Sequence, residues 1–204
     1  MSGLKVYGVP ISRAYRALWC ANELNLDYEH LPLHFADGST KKPDYLAVNP
    51  NGKLPAIEDG ELKLWESMAI TCYLAKKHGG GLWPKTLQDE AKVLQWSFWV
   101  VSELERPVLS YLLHTAFLPA AKRKLDTASE ALLQVQAPFR VLDDALRKTG
   151  DLIGDTFTVA DLNVAAVLYW AKAAKLDLSA FPHVAQWLDK SLSRPAAVRA
   201  QEAA

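Results

Sequence analysis

Apolar residues recur at two rhythms along this chain, and the change from one to the other divides it. Over residues 4–7 the alternation Leu-Lys-Val-Tyr predicts a strand, and Leu18, Ala21 and Leu24 put an inward stripe on a helix over 12–25. A second strand is expected at 28–33 and a short helix at 41–48, closed by the turn-forming run Asn49-Pro50-Asn51-Gly52. Residues 54–58 and 62–65 read as the arms of a hairpin about Asp59-Gly60. A helix over 67–77 ends in His78-Gly79-Gly80-Gly81, where glycine takes the backbone geometry that stops a helix.

Beyond residue 88 only the helical rhythm remains. Val93, Trp96, Val100 and Leu104 form the buried stripe of a long helix, which Pro107 is expected to kink or end. A second helix is expected over 121–148, interrupted by Pro138. Thr158-Val159-Ala160-Asp161 has the pattern of a capping box and opens a third helix through Leu162, Ala165, Ala166 and Tyr169. Two short helices near Val184 and Ala197 finish the chain, each with a proline near its start. The expected architecture is an α/β thioredoxin-like domain at residues 1–80, a linker at 81–88, and an all-α helical-bundle domain at 89–204.

Composition narrows the function without naming it. The 204 residues carry 23 basic and 23 acidic side chains, so nothing points to nucleic acid or to an acidic partner segment. Apolar runs are far shorter than a membrane span, and the N-terminus enters the first strand without a signal-peptide pattern, which predicts a cytoplasmic protein. Cys20 and Cys72 have neither metal nor redox spacing and are expected to be reduced, buried apolar residues. No metal site is expected.

Two stretches carry a resemblance. Asn49-Pro50-Asn51-Gly52-Lys53-Leu54-Pro55-Ala56-Ile57, followed by Leu64-Trp65-Glu66-Ser67-Met68-Ala69-Ile70, is similar to the glutathione-site core of cytosolic glutathione transferases. Phe157-Thr158-Val159-Ala160-Asp161 resembles the capping segment in the helical domain of the same superfamily. In order, separation and length the chain looks like a bacterial serine-type, theta-like member. The resemblance implies glutathione as co-substrate, a cis bond between Leu54 and Pro55, and a homodimer.

Chemistry gives reasons for these residue types. Glutathione is an extended tripeptide with a carboxylate at each end and a thiol in the middle. Leu54 could pair its backbone with the cysteinyl segment as an added strand would. Ser67 opens a helix whose free amides attract the γ-glutamyl carboxylate, and Glu66 could meet the neighbouring ammonium. Lys53 is placed for the glycyl carboxylate, with Thr40 or Lys41 as a second anchor where related chains often carry a histidine. Taken singly, Ser67 also reads as an ordinary helix cap, Pro55 as turn chemistry and Lys53 as a solvated loop charge; their joint occurrence favours the site.

A thiol of pKa about 8.5 is mostly protonated at neutral pH, so the protein must supply a donor to sulfur and a positive field. Candidates are Ser12, Tyr7 and, less readily, Cys20. In serine-type members the catalytic serine follows the first strand in this way, with an arginine four residues on, as Arg16 is here; Ser12 is the assigned catalytic residue. A serine in place of a cysteine argues against reduction through a mixed disulfide. Trp99, Tyr111, His114 and Phe117 are the candidate pocket for a hydrophobic electrophile, placed between the first loop and the long helix, whereas Trp96 belongs to the core stripe. The expected activity is addition or substitution by glutathione thiolate, with glutathione peroxidase side activity. The alternative is a non-catalytic protein that binds glutathione and apolar ligands.

Overall fold

The computed structural model describes residues 3–203, which fall into two compact units: residues 3–83 with 193–203, and residues 84–192. In the first, β1 (Leu4–Tyr7), α1 (Ala14–Glu23) and β2 (Glu29–Leu31) are followed by α2 (Pro43–Leu46), β3 (Ala56–Asp59), β4 (Leu62–Trp65) and α3 (Ser67–His78). The sheet order is β2-β1-β3-β4, with β1 and β2 parallel and the other two pairings antiparallel. This is the thioredoxin-like arrangement expected. Gly60 takes positive φ at the first position of the two-residue turn between β3 and β4.

Alternation decides what each sheet face covers. Val6 and its cross-strand partner Ile57 are fully buried on one face. On the other, Tyr7 and Ala56 meet Tyr45, Val48, Leu33 and Leu54. Helix α1 has eight consecutive buried residues, Ala14 to Ala21, because α3 packs on it from one side and the chain's last helix, α10 (Pro195–Glu202), from another. Arg194 and Glu23 form an ion pair across that contact, and Gln201 donates to the Tyr15 hydroxyl. Residues 193–203 therefore correct the expected division: the final helix is part of the first unit, not of the helical one. Its sequence is amphipathic in a way that suits either, and nothing local to it specifies the partner.

The second unit begins with α4 (Leu87–Trp99), capped by Thr86, whose side chain accepts from the Asp89 amide. Pro107 does not end the helix. The rod runs on through a π-helical turn (Val100–Leu104), α5 (Glu105–Leu112) and a second π-helical turn (Leu113–Phe117). A proline clashes with the carbonyl four residues earlier, here that of Glu103, and the wider π turn holds that residue. The next helical stretch starts later than expected, as α6 (Leu125–Gln134), and breaks at Val135 before α7 (Gln136–Thr149). Pro138 lies in the first turn of α7, where its missing N–H costs little. Helix α8 (Val159–Ala173) is buried on nearly every side and packs against α4, α5 and α9 (Pro182–Leu192), which makes it the centre of this unit.

Candidate functional site

The loop joining β1 to α1 is fixed to β2 and the residues just after it by three bonds. The amides of Gly8 and Val9 donate to the carbonyls of Leu31 and Leu33, and His30 Nε2 lies 2.9 Å from the Gly8 carbonyl. Gly8 has φ +120°, and a side chain there would strike the Ala14 methyl at 2.7 Å and press on Leu54. The close approach of loop, helix and Leu54 thus requires glycine.

Ser12 sits in the turn before α1, half-buried. Its hydroxyl donates to the Val9 carbonyl at 2.7 Å and accepts from the Ala14 amide at 3.1 Å. It satisfies one free amide of the helix start, so the oxygen expected from sequence to serve catalysis also serves the helix. Tyr7 is otherwise engaged. Its hydroxyl donates to the Glu58 carboxylate, its ring packs on Tyr45, and its pKa is raised by burial, by that hydrogen bond and by nearby negative charge. A phenol whose proton is held by a carboxylate is a poor donor to a second anion. Cys20 is fully buried, its thiol facing the Thr71 carbonyl at 3.5 Å, and burial pushes its pKa upward. Neither cysteine is in a disulfide; Cys20 is buried and Cys72 half-buried.

The second element is the run before β3. The Leu54-Pro55 peptide is cis, as the resemblance implies. Just ahead of it, the Lys53 carbonyl accepts two donors, the Tyr45 hydroxyl at 2.6 Å and Asn49 Nδ2 at 2.7 Å. Asn49 is itself buried and takes the Asn51 amide at 3.0 Å. These bonds leave the Lys53 side chain exposed and place Leu54 outside the ladder, since β3 starts at Ala56. Burial pushes the Tyr45 phenol up to about 12, so it remains a donor to Lys53 at any ordinary pH. Between the two candidates for a second anchor, the side chains differ. Lys41 Nζ reaches this loop, donating to the carbonyls of Gly52 at 3.0 Å and Asn51 at 3.3 Å, whereas Thr40 is buried. Gly52 has φ +57°, and a side chain there would meet Lys41 Nζ and the Thr40 carbonyl, each at 2.7 Å.

The third element is the start of α3. Glu66, at φ 72° and ψ 113°, lies outside the regions open to most side chains, and strain of this sort clusters at ligand sites. It precedes the helix without a side-chain hydrogen bond to it, and the first helical bond closes only at the Ile70 amide. Ser67, the first helical residue, is buried, and Arg16 Nη1 donates to its hydroxyl at 2.9 Å. Ser12, Leu54 and Ser67 thus follow β1, precede β3 and follow β4, in one unit. Asn49, Tyr45 and Arg16 hold these segments and are not among the residues assigned from sequence. The signals for them were the turn motif around Asn49 and the arginine four residues after Ser12.

The aromatic candidates lie along the rod of the second unit. Trp99 ends α4 and meets Trp96 edge-on, with centroids 5.0 Å apart. Tyr111 is in α5; His114 and Phe117 are in the final π turn, with Phe117 exposed. His114 also serves the backbone. Its Nδ1 accepts from the Lys124 amide at 3.1 Å, which leaves the ring proton of the neutral form on Nε2. Arg123 closes the same helix end by donating to the carbonyls of Ala116 and Leu118. Among the described residues no helix is long and apolar enough to cross a membrane, and no cluster suited to a metal ion occurs.

Comparison with known proteins agrees with this geometry. The family model for the glutathione S-transferase N-terminal domain matches residues 2–76, and that for the C-terminal domain matches residues 106–195. Glutathione S-transferase PARB of Nicotiana tabacum is 34% identical over 207 residues, spanning 98% of this chain and 97% of its own. The disulfide-bond oxidoreductase YfcG of Escherichia coli is 33% identical, spanning 95% of this chain and 92% of its own. A crystal structure of the theta class glutathione S-transferase from Xanthomonas axonopodis pv. citri with glutathione bound superposes with a TM-score of 0.93, at 29% identity, covering 100% of this chain and 99% of that one.

Proposed function

The chain belongs to the glutathione S-transferase family, and on that premise we propose how its residues carry out glutathione transfer. Glutathione lies with its γ-glutamyl carboxylate at the start of α3, bonded to Ser67 and the free amides there, and its ammonium at Glu66. Its cysteinyl backbone pairs with Leu54 beside Pro55. The glycyl carboxylate meets Lys53 and Lys41, while Thr40 serves the loop from inside. Ser12 then turns its hydroxyl from the Val9 carbonyl to the sulfur. The thiol loses its proton to solvent, and the thiolate attacks a hydrophobic electrophile, adding to it or expelling a leaving group. Trp99, Tyr111 and Phe117 receive the apolar part of that substrate, with His114 beside them; hydroperoxides are a second class of acceptor.

One observation carries the choice of Ser12. Its hydroxyl is bonded to loop backbone, while the phenol of Tyr7 is held by Glu58. Ser12→Ala is expected to raise the pKa of bound glutathione and cut turnover about 10²-fold, with little change in glutathione affinity. Tyr7→Phe should do neither. Titrating the thiolate absorbance of bound glutathione checks both, and an unshifted Ser12→Ala with a raised Tyr7→Phe would make Tyr7 the activating group. Turnover assays on chlorinated aromatics, epoxides, hydroperoxides and a small disulfide define the acceptor. Activity confined to the disulfide would replace transfer by thiol-disulfide chemistry.

We further propose a cytoplasmic homodimer with a detoxifying role. The dimer is supported by an exposed apolar stripe on the α4 rod, Leu87, Leu94, Phe98 and Val101, and by exposed Trp65 on the edge strand β4. Sedimentation at micromolar concentration tests it, and a monomer contradicts it.

A further inference from the structure

Arg16 is an anomaly of α1. It is only 2% exposed, within a run of otherwise uncharged buried residues, and burying a guanidinium is costly unless its donors are used. One of those donors is directed across the unit, from Nη1 to the Ser67 hydroxyl, 51 positions further along the chain.

The consequence lies in what a hydroxyl can do. Serine oxygen has one proton to give and two lone pairs to accept with. Arginine cannot accept, so a lone pair of Ser67 faces Arg16 and the proton must point elsewhere. It is left for whatever occupies the uncapped start of α3. The charged donor also polarises the O–H bond, which strengthens what Ser67 donates next. Because a guanidinium does not deprotonate at working pH, this orientation does not titrate away.

We propose that Arg16 is a positioning residue for glutathione, aiming the Ser67 proton at the γ-glutamyl carboxylate from behind. The proposal rests on the binding mode given above and adds to it a residue that acts through Ser67. It also ties α1, which follows Ser12, to the helix that receives the far end of the substrate.

Calorimetry with two ligands tests it: glutathione, and glutathione whose γ-glutamyl α-carboxylate is converted to the primary amide. Arg16→Met is expected to weaken glutathione about tenfold or more, as the loss of a charge-assisted hydrogen bond does. It should change the affinity of the amide analogue less than twofold and leave the pKa of the bound thiol where it is. Combined with Ser67→Ala it should weaken glutathione no further than Ser67→Ala alone, and Arg16→Lys should recover part of the loss. If the methionine variant does not fold, Arg16→Gln, a neutral donor, carries the same two-ligand comparison. Equal losses for both ligands would make Arg16 a purely structural residue, and a raised thiol pKa with intact affinity would place its action at sulfur. Either result overturns the proposal, as does wild-type affinity in Arg16→Met. Failure of the underlying binding mode is distinct: Ser67→Ala would then bind glutathione as tightly as the wild type.

Discussion

The start of α8 and the start of α3 face the same problem and answer it in opposite ways. Both present backbone amides with no partner inside the helix. At α8, Thr158 accepts from the Ala160 amide, and Asp161 takes the amide and hydroxyl of Thr158, the Leu152 amide and the Trp187 indole. Asp161 is fully buried, and burial raises its pKa against the pull of those bonds. Nothing is left over for a ligand. At α3 the residue before the helix contributes no side-chain bond, and the first helical serine is held by Arg16 with its proton directed away. At α8 the polar residues of the helix start close their bonds within the protein, whereas at α3 the preceding residue closes none on the helix.

Three changes press on this contrast. The largest effect belongs to Asp161→Ala, which strands four donors at once and is expected to cost about 3 kcal/mol or more of stability. Urea unfolding measures it, and a loss below about 1 kcal/mol would mean that the closed network is not what holds α8. Ser67→Ala should show the reverse profile. Glutathione binding falls by about 1–3 kcal/mol while stability changes less than in Asp161→Ala. Unchanged affinity by calorimetry would make α3 a capped helix like α8.

The smallest effect is at α9, an intermediate case whose start is served from another helix. Asp143 of α7 accepts from the amides of His183 and Val184 and from the His183 ring. Burial alone would raise the Asp143 pKa, but the bonds from His183 and Val184 outweigh it and hold it below the ordinary carboxylate value. A depressed folded pKa contributes stability above the unfolded value and loses it as pH falls through the folded one. Asp143→Ala should therefore cost about 1 kcal/mol at neutral pH, and the gap to wild type should close on acidification below the usual Asp range. Urea midpoints from neutral to acid pH would show it. A gap that persists in acid would assign the cost to packing.

What could be read from sequence was what local chemistry decides. Alternation gave the four strands of one sheet, the Asp59-Gly60 turn gave the hairpin, and Thr158-Val159-Ala160-Asp161 gave a cap that is present in full. The turn ahead of Leu54 and the helix opening at Ser67 were legible because turn and cap residues are specific by type. The bond of Arg16 to Ser67 was not, since it joins residues that only the fold brings together, and the bonds of Tyr45 and Asn49 to Lys53, though local, depend on the course the chain takes between them. Pro107 did not end its helix because its clash with the preceding turn was met by a wider turn in the preceding segment. The C-terminal helix misled because amphipathic periodicity says that a face is covered without saying by what.

That last helix also sets an order of events in the life of the chain. Ribosomal synthesis delivers α1 early, but the residues that cover its remaining side, and the Arg194 that pairs with Glu23, come 171 positions later. All of the second unit emerges in the interval. Until then Tyr15 and Trp19 lack part of their cover, and the loop to be closed is nearly the whole protein. The first unit is encoded first and completed last, so a truncated product that has already made Ser12, Leu54 and Ser67 still lacks the helix that covers α1.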